Sequence, residues 1–420
     1  MAVLNGKSIL FSATNPEWKA RRKAITPAFY KGKLLKLLDI ARGSIQKTVD
    51  KLNIVAASGE KTKIDMIDEF SRMQICVLLE TSFGEDISQT NIDFWEQGKH
   101  SKRSIGYALR ETFHSLVDRL NSLHMVLFPI FTDKFLTFHE RDVVANCNSL
   151  RTAIGAIIDR RRADIKAGRK GNNDGDLLGI LLSDPLFSTD IDMITDECLT
   201  FFFAGSQTSS ALTQNLTLHF MLQPIYKDKV LKELDDVIIQ PYLADQLANG
   251  KYKIGETVTD LNVLDHISWE TFEDQVFTGY CINEALRFEP PVYYSSFLCM
   301  DQDVEAGGLH IRGGDPFIVS MYHLANNPNE WIEPRKFIPE RFDNTSKYWL
   351  TPSGKKRNPY SFSPFLAGSR ICLGKTFIES IFKMSIPTLF TNFDFFFEEG
   401  VDPAKFEMPH NNLAAVSTPK

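Results

Sequence analysis

The residues best suited to chemistry lie in residues 365–374, which read Phe-Leu-Ala-Gly-Ser-Arg-Ile-Cys-Leu-Gly. This stretch predicts a loop that leads into a helix, with Cys372 near the helix N-terminus, where backbone N–H groups and the helix dipole favour a thiolate over a thiol. Gly368 and Gly374 allow a flat ligand to approach closely, and the planar guanidinium of Arg370 suits a carboxylate. A cysteine and a following glycine alone would instead indicate a buried core thiol beside turn glycines.

The elements that must position this loop are mostly helices. Apolar residues recur at helical spacing, which predicts helices over residues 15–26, 33–52, 65–83, 142–166, 190–222, 227–239, 274–287 and 377–390. The centre of the helix over 190–222, residues 201–205, is apolar all round and is therefore expected to be buried on every side. We expect Asp274 to be the N-cap of the helix that Pro290 and Pro291 end.

Residues 292–320 alternate in polarity and are rich in glycine, which predicts short strands and turns. The predicted fold class is therefore mainly α with a small β part late in the chain, in one continuous domain over residues 1–420. Its 32 phenylalanines suggest an aromatic-lined interior. The basic runs at 160–162 and 355–357 are expected to be solvated helix ends or loops.

Charge and cysteine usage exclude several classes of protein. The net charge of −6 argues against a nucleic-acid partner, which usually meets a basic face. The 6 cysteines lie far apart and without C-x-x-C spacing, which is typical of reduced thiols. The sequence contains neither a run of about 18 apolar residues that would predict a membrane-spanning helix nor a signal peptide.

Residues 365–374 match the pattern F-x-x-G-x-R-x-C-x-G at every defined position and so resemble the haem-binding signature of the cytochrome P450 family. Further motifs follow in family order. Residues 18–22 resemble its W-x-x-x-R helix, and residues 204–209 (Ala-Gly-Ser-Gln-Thr-Ser) its A-G-x-(D/E)-T-(T/S) motif. Residues 284–287 resemble E-x-x-R, and residues 337–342 contain P-E-R-F. The resemblance covers essentially the whole chain and is closest to microsomal, eukaryotic members.

The resemblance implies a cofactor, haem b, whose iron Cys372 would ligate. The implied cofactor-binding residues lie on the Cys372 loop and on the W-x-x-x-R helix, where tryptophan and arginine meet a haem propionate: Trp18, Arg22, Phe365, Gly368, Arg370, Cys372 and Gly374. Alternatively, Trp18 could serve only to staple its helix.

Two further groups of residues take implied roles from the family. Ala204, Gly205, Gln207 and Thr208 would lie on the oxygen side of the haem, although Ala204 and Gly205 could equally form a helix-packing notch. Glu284 and Arg287 share a helix face and would form a buried brace behind the haem with Arg341. An exposed pair would explain the same spacing of Glu284 and Arg287.

The implied activity is insertion of one oxygen atom from O2 into an apolar organic substrate of the lipid, fatty acid, sterol or xenobiotic class. Electrons would come from NADPH through a flavoprotein reductase of the NADPH-cytochrome reductase type, which would dock near Lys23 and Lys375. The family implies the cytosolic face of the endoplasmic reticulum membrane, with peripheral contact through residues 125–131 or, alternatively, a buried linker there. Candidate pocket walls, each of which could equally be core, are Phe201, Phe202, Tyr293, Tyr294 and Phe297.

The sequence departs from the family pattern at several places. A long N-terminal part normally precedes the W-x-x-x-R helix, and residues 413–420 resemble the start of a terminal hairpin, so we expect an N-terminally truncated P450 fold that also lacks its last strand. Gln207 stands where the family usually has an acid, and residues 292–298 lack the basic residue that often holds a propionate. Ala204 replaces the glutamate that esterifies the haem in some fatty-acid hydroxylases, so no covalent link is expected.

Two alternative functions stay open. A haem-thiolate isomerase or dehydratase that rearranges peroxides would need no reductase. Gln207 favours it, whereas the intact Thr208 argues against it. A haem-binding fragment without turnover would follow if both ends are missing.

Overall fold

The computed structural model describes residues 6–57, 63–120, 138–171, 175–249, 251, 261–295 and 298–402. Helices dominate these residues, and their bounds are α1 Pro16–Ile25, α2 Lys31–Ala56, α3 Met66–Phe83, α4 Ile105–Leu120, α5 Phe138–Lys166, α6 Leu177–Ser183, α7 Ile191–Leu222, α8 Pro224–Leu234, α9 Gln240–Ala248, α10 Val263–His266, α11 Trp269–Asp274, α12 Val276–Phe288, α13 Met321–Ala325 and α14 Lys375–Asn392. A π-helical turn, Asp235–Ile239, joins α8 to α9.

The strands form antiparallel pairs. Strand β1 (Asn91–Glu96) pairs with β2 (Lys99–Ser104), β3 (Leu298–Cys299) with β6 (Pro316–Phe317), and β4 (Val304–Ala306) with β5 (Leu309–Ile311). The prediction of a mainly α fold with a small β part is confirmed. The predicted features at residues 125–131, Phe297 and residues 413–420 lie outside the described residues.

Helix α7 organises the core. Asp190 caps it by accepting a hydrogen bond from the Met193 amide at 2.9 Å, and the helix packs against α3, α5, α12 and α14. Most of its side chains are buried, but the prediction that residues 201–205 are buried on every side is wrong. Of these five residues only Phe202 is buried, and Ala204 is exposed. In the described part of the chain, no helix combines the length and the apolar character needed to cross a bilayer.

Helix α12 begins at Val276, two residues after the predicted start at Asp274, and Asp274 is not its N-cap. Asp274 is the last residue of the short helix α11, and Gln275 stands between the two helices. Helix α11 has its own start, because Ser268 and Thr271 form a reciprocal capping box. Helix α11 was not predicted, and the predicted helix start at Asp274 is the residue at which α11 ends.

The hairpin of β1 and β2 was not predicted, and it places β structure earlier in the chain than expected. Gln97 and Gly98 at its tip both have positive φ, 53° and 74°, as a two-residue type I′ turn requires. The Asn146 side chain of α5 accepts from the Trp95 amide at 2.7 Å and donates to the Trp95 carbonyl at 2.8 Å. These bonds fix the hairpin on α5.

The expectation that both basic runs are solvated is wrong for two arginines. Arg161 is 3% exposed and forms an ion pair with the buried Asp176 at 2.9 Å. Arg357 donates to the carbonyls of Arg341 and Tyr348, and burial lowers its pKa to about 10. Both guanidiniums therefore bind acceptors that lie outside their own basic run.

Candidate functional site

Cys372 lies where residues 365–374 turn into helix α14. Its amide donates to the Phe365 carbonyl at 2.9 Å, which closes the loop, and a 3-10 turn, Gly368–Arg370, lies inside it. The backbone amides of Gly374 and Lys375, at the start of α14, lower the pKa of the Cys372 thiol. The loop therefore presents an exposed cysteine at a helix N-terminus, as predicted.

The thiol is nevertheless harder to ionise than predicted. Desolvation by the surrounding protein raises the pKa of Cys372, and this effect outweighs the lowering by the Gly374 and Lys375 amides and by Arg22. The amides at the helix N-terminus act in the predicted direction, but in the free thiol they do not outweigh desolvation. A bound cation would change this balance, because a coordinating thiol loses its proton.

A stripe on α7 is more accessible than the rest of that helix. Ala204 is exposed and Phe201, Gly205 and Thr208 are half-buried, whereas Gln207 is 7% exposed. The Thr208 hydroxyl donates to the Ala204 carbonyl at 2.6 Å, one helical turn earlier, and its oxygen can still accept. The stripe over 201, 204 and 208 therefore presents small and aromatic groups from an otherwise buried helix.

Close packing against α3 explains why residue 205 is a glycine. A Cβ atom at this position would lie 2.8 Å from a methyl group of Leu78 in α3. Of the two roles that the sequence leaves open for Gly205, this contact supports the helix-packing notch.

The donor set and the space around it fit a haem. A thiolate is a known axial ligand of haem iron, and Cys372 is exposed. Gly368 has a φ of 66°, a backbone conformation that itself favours glycine. Gly374 has a φ of −82°, and a Cβ atom there would meet no other atom within 4 Å, so neither backbone conformation nor packing explains this glycine, whereas close approach by a flat ligand does. Helix α14 packs against α7, and Phe201 and Leu373 contact the same apolar cluster.

Glu284, Arg287 and Arg341 form a fully buried charged cluster. Arg287 donates to both carboxylate oxygens of Glu284 at 2.8 Å each, and Arg341 donates to Oε1 at 3.1 Å. The Ile338 amide also donates to Oε1, at 2.7 Å. All three charged side chains are 0% exposed, so the surface-pair alternative does not apply. Burial lowers the pKa of Arg341, although Glu284 opposes that effect.

The three predicted propionate anchors lie near one another. Arg22 donates to the Ile371 carbonyl at 2.6 Å, beside Cys372, and the Arg370 guanidinium carbon lies 4.0 Å from the centre of the Trp18 ring. Trp18 is 2% exposed and donates its indole N–H to the Ile9 carbonyl at 2.8 Å. In this arrangement, the ring of Trp18 contacts Arg370, and its indole N–H points to the main chain at Ile9.

The candidate pocket walls divide into two groups. Phe202 is 1% exposed and packs on Phe83, and Tyr293 is 5% exposed and donates to Glu289 at 2.8 Å, so both belong to the core. Phe201 lies on the accessible stripe and stacks on Phe29, and Tyr294 is half-buried.

Sequence reasoning missed Asp196 and Glu197 on α7. They are 3% and 0% exposed, and burial raises the pKa of Glu197 to about 8. They accept hydrogen bonds from the amides of Lys7 and Ile9 at 2.8 and 3.0 Å. Two adjacent acids in an otherwise apolar helix were the signal that could have revealed them, since buried carboxylates need partners.

Comparisons with known proteins point to one family. A sequence model of the cytochrome P450 family matches residues 2–420. The chain is 25% identical over 401 residues to human cytochrome P450 3A7, covering 93% of this chain and 70% of that protein. It is 24% identical over 398 residues to rat cytochrome P450 4F6, covering 91% of this chain and 65% of that protein. The crystal structure of a cytochrome P450, CYP102L1, superposes with a TM-score of 0.73 at 20% identity and covers 100% of this chain and 84% of the other.

Proposed function

Because the chain belongs to the cytochrome P450 family, we propose that it is a haem-thiolate monooxygenase that inserts one oxygen atom of O2 into an apolar small molecule. The observation that carries the proposal is the exposed Cys372 at the start of α14, on a helix that packs against α7. The bound haem would supply the oxygen chemistry. The protein supplies the ligand, the orientation and the surroundings of the reacting groups.

We assign the roles of the site residues as follows. Cys372 holds the iron, Phe365, Gly368 and Gly374 leave room for the ring system, and Arg22 and Arg370 provide cations for its carboxylates. Ala204 and Phe201 face the substrate, and Thr208 orders water through its hydroxyl oxygen. Glu284, Arg287 and Arg341 fix the segment that precedes the Cys372 loop.

Proton delivery would depend on Gln207 and Thr208. An acid at position 207 could exchange protons with solvent, whereas the Gln207 amide cannot titrate near neutral pH. Gln207 is also buried, which separates it from bulk water. We therefore propose that protons reach the site through water held by Thr208.

The partners follow from the same proposal. NADPH electrons would arrive through a flavoprotein reductase that docks near the exposed Lys23 and Lys375, on the cysteine side. The place of action would be the cytosolic face of the endoplasmic reticulum, and the 420 residues would act as one domain.

The test of this function is spectroscopic. Purified protein loaded with haem, reduced and exposed to carbon monoxide should give the long-wavelength Soret band of thiolate-ligated haem. Cys372→Ser should abolish this band, and Cys299→Ser, which changes another exposed cysteine, should leave it unchanged. A band that persists in Cys372→Ser would refute the ligand assignment. NADPH-dependent O2 uptake with the reductase then separates a monooxygenase from an enzyme that rearranges peroxides.

A further inference from the structure

Residues 7–14 form a short strap that connects α7 to the Cys372 loop. On the α7 side, the amides of Lys7 and Ile9 donate to the buried carboxylates of Asp196 and Glu197 at 2.8 and 3.0 Å. The nearly buried Arg21 donates to the Lys7 carbonyl and, at 2.9 Å, to the Ser12 hydroxyl. The strap is therefore fixed relative to α7 by buried charged groups.

On the other side, the strap holds Arg370. The guanidinium donates through Nε to the Thr14 hydroxyl at 2.8 Å and through its two terminal nitrogens to the carbonyls of Ile9 and Ser12 at 3.0 and 2.6 Å. A guanidinium has five N–H groups in one rigid plane, so these bonds fix its orientation and leave two for another acceptor.

Trp18 strengthens the same arrangement. Its indole N–H, the single donor of this side chain, donates to the Ile9 carbonyl that Arg370 also uses. The Arg370 guanidinium lies over the Trp18 ring, with 4.0 Å between the guanidinium carbon and the ring centre, as in a cation–π contact. Trp18, Arg370 and the Ile9 carbonyl therefore form one connected set of contacts.

We propose that the strap is a positioning element that orients Arg370 toward a haem carboxylate, with Thr14 as the strap side chain responsible. The proposal rests on the proposed haem site. Because Thr14 is exposed and contacts Arg370 through one hydroxyl, its substitution tests the idea without disturbing the core.

The experiment measures the rate of haem loss from the full chain to an excess of a haem-scavenging apoprotein, followed by the Soret band. Thr14→Val removes one hydrogen bond to Arg370 and should speed haem loss about 2- to 10-fold. Thr14→Ser keeps the hydroxyl and should match the parent protein. Ala13→Val changes the neighbouring strap residue, which makes no side-chain bond to Arg370, and should also match it.

The dimethyl ester of haem supplies the decisive comparison, because it ligates iron but has no free carboxylate. If Thr14 acts through Arg370 and the carboxylate, Thr14→Val and parent protein should lose this ester at the same rate. Equal acceleration with haem and with the ester would mean general loosening and would overturn the proposal. Unchanged haem loss in Thr14→Val would overturn it as well. Failure of the parent protein to bind haem at all would instead refute the proposed function.

Discussion

Arg287→Ala tests how strongly the buried cluster behind the Cys372 loop stabilises the fold. The substitution leaves the Glu284 carboxylate with Arg341 and the Ile338 amide as partners, at 0% exposure. Breaking a buried ion pair in this way costs about 3–5 kcal/mol. Arg287 also donates to three carbonyl oxygens that would lose this partner, those of Ala325, Pro334 and Lys336.

The magnitude decides the expected phenotype. The free energy of unfolding of a protein of this kind is about 5–15 kcal/mol, so a loss of 3–5 kcal/mol removes a large part of it. We expect Arg287→Ala to yield little soluble protein or a chain that does not retain haem. Arg287→Lys keeps the charge but loses the bidentate bond to Glu284. Its free energy of unfolding should lie between those of Arg287→Ala and the parent protein.

The assay is urea unfolding followed by far-UV circular dichroism, together with the Soret absorbance per mole of protein. Lys336→Ala is the matched control, since Glu333 and Lys336 have the same i,i+3 spacing as Glu284 and Arg287 but lie at the surface. It should leave the unfolding midpoint unchanged. Soluble, fully haem-loaded Arg287→Ala protein with the parental midpoint would refute the reasoning.

Three further predictions concern α7. Burial raises the pKa of Glu197 from 4.5 to about 8, so its carboxyl binds a proton more tightly in the folded chain than in the unfolded one. The stability of the parent relative to Glu197→Gln should therefore fall as the pH rises from 4.5 to about 8. Melting temperatures of the two proteins that change in parallel over this pH range would contradict this. Gly205→Ala should destabilise the fold by about 1–3 kcal/mol through overpacking, whereas Gly43→Ala in α2, where a Cβ meets no atom within 4 Å, should be neutral or stabilising. With a reductase and an accepted substrate, Gln207→Glu should raise the product formed per NADPH and Thr208→Ala should lower it, and a parent enzyme already fully coupled would exclude the proposed defect.

Helical spacing was enough to predict most long helices, because each buries a continuous apolar face. The helix over 190–222 was predicted nearly to the residue, since Asp190 is a local cap and the centre is apolar. The hairpin was missed because Gln97 supplies an unusual positive φ, which the residue type does not reveal. Arg161 was misplaced at the surface because its partner, Asp176, comes from outside its own helix.

At the site, the motif positions were predictable, but their partners were not. Cys372, Glu284 and Arg287 stand in patterns that the family resemblance identifies by residue type. The acceptors of Arg370 include main-chain carbonyls of the strap, which any residue type supplies, so no sequence pattern marks them. The same limit applies to the pKa of Cys372, because desolvation by the surrounding protein, which sequence position does not give, outweighs the helix amides.

The strap, residues 7–14, gives one physical reason why α7 and the Cys372 loop keep fixed positions relative to each other. On α7, Glu197 lies four, seven and eleven residues before Phe201, Ala204 and Thr208, so all four lie on one helical face. At a rise of 1.5 Å per residue, Glu197 is about 10 Å along the axis from Ala204. Because Ile9 bonds to Glu197 through its amide and to Arg370 through its carbonyl, a single residue connects this face to the Cys372 loop. A shift of α7 along its axis would therefore displace Arg370 as well as the groups that face the substrate.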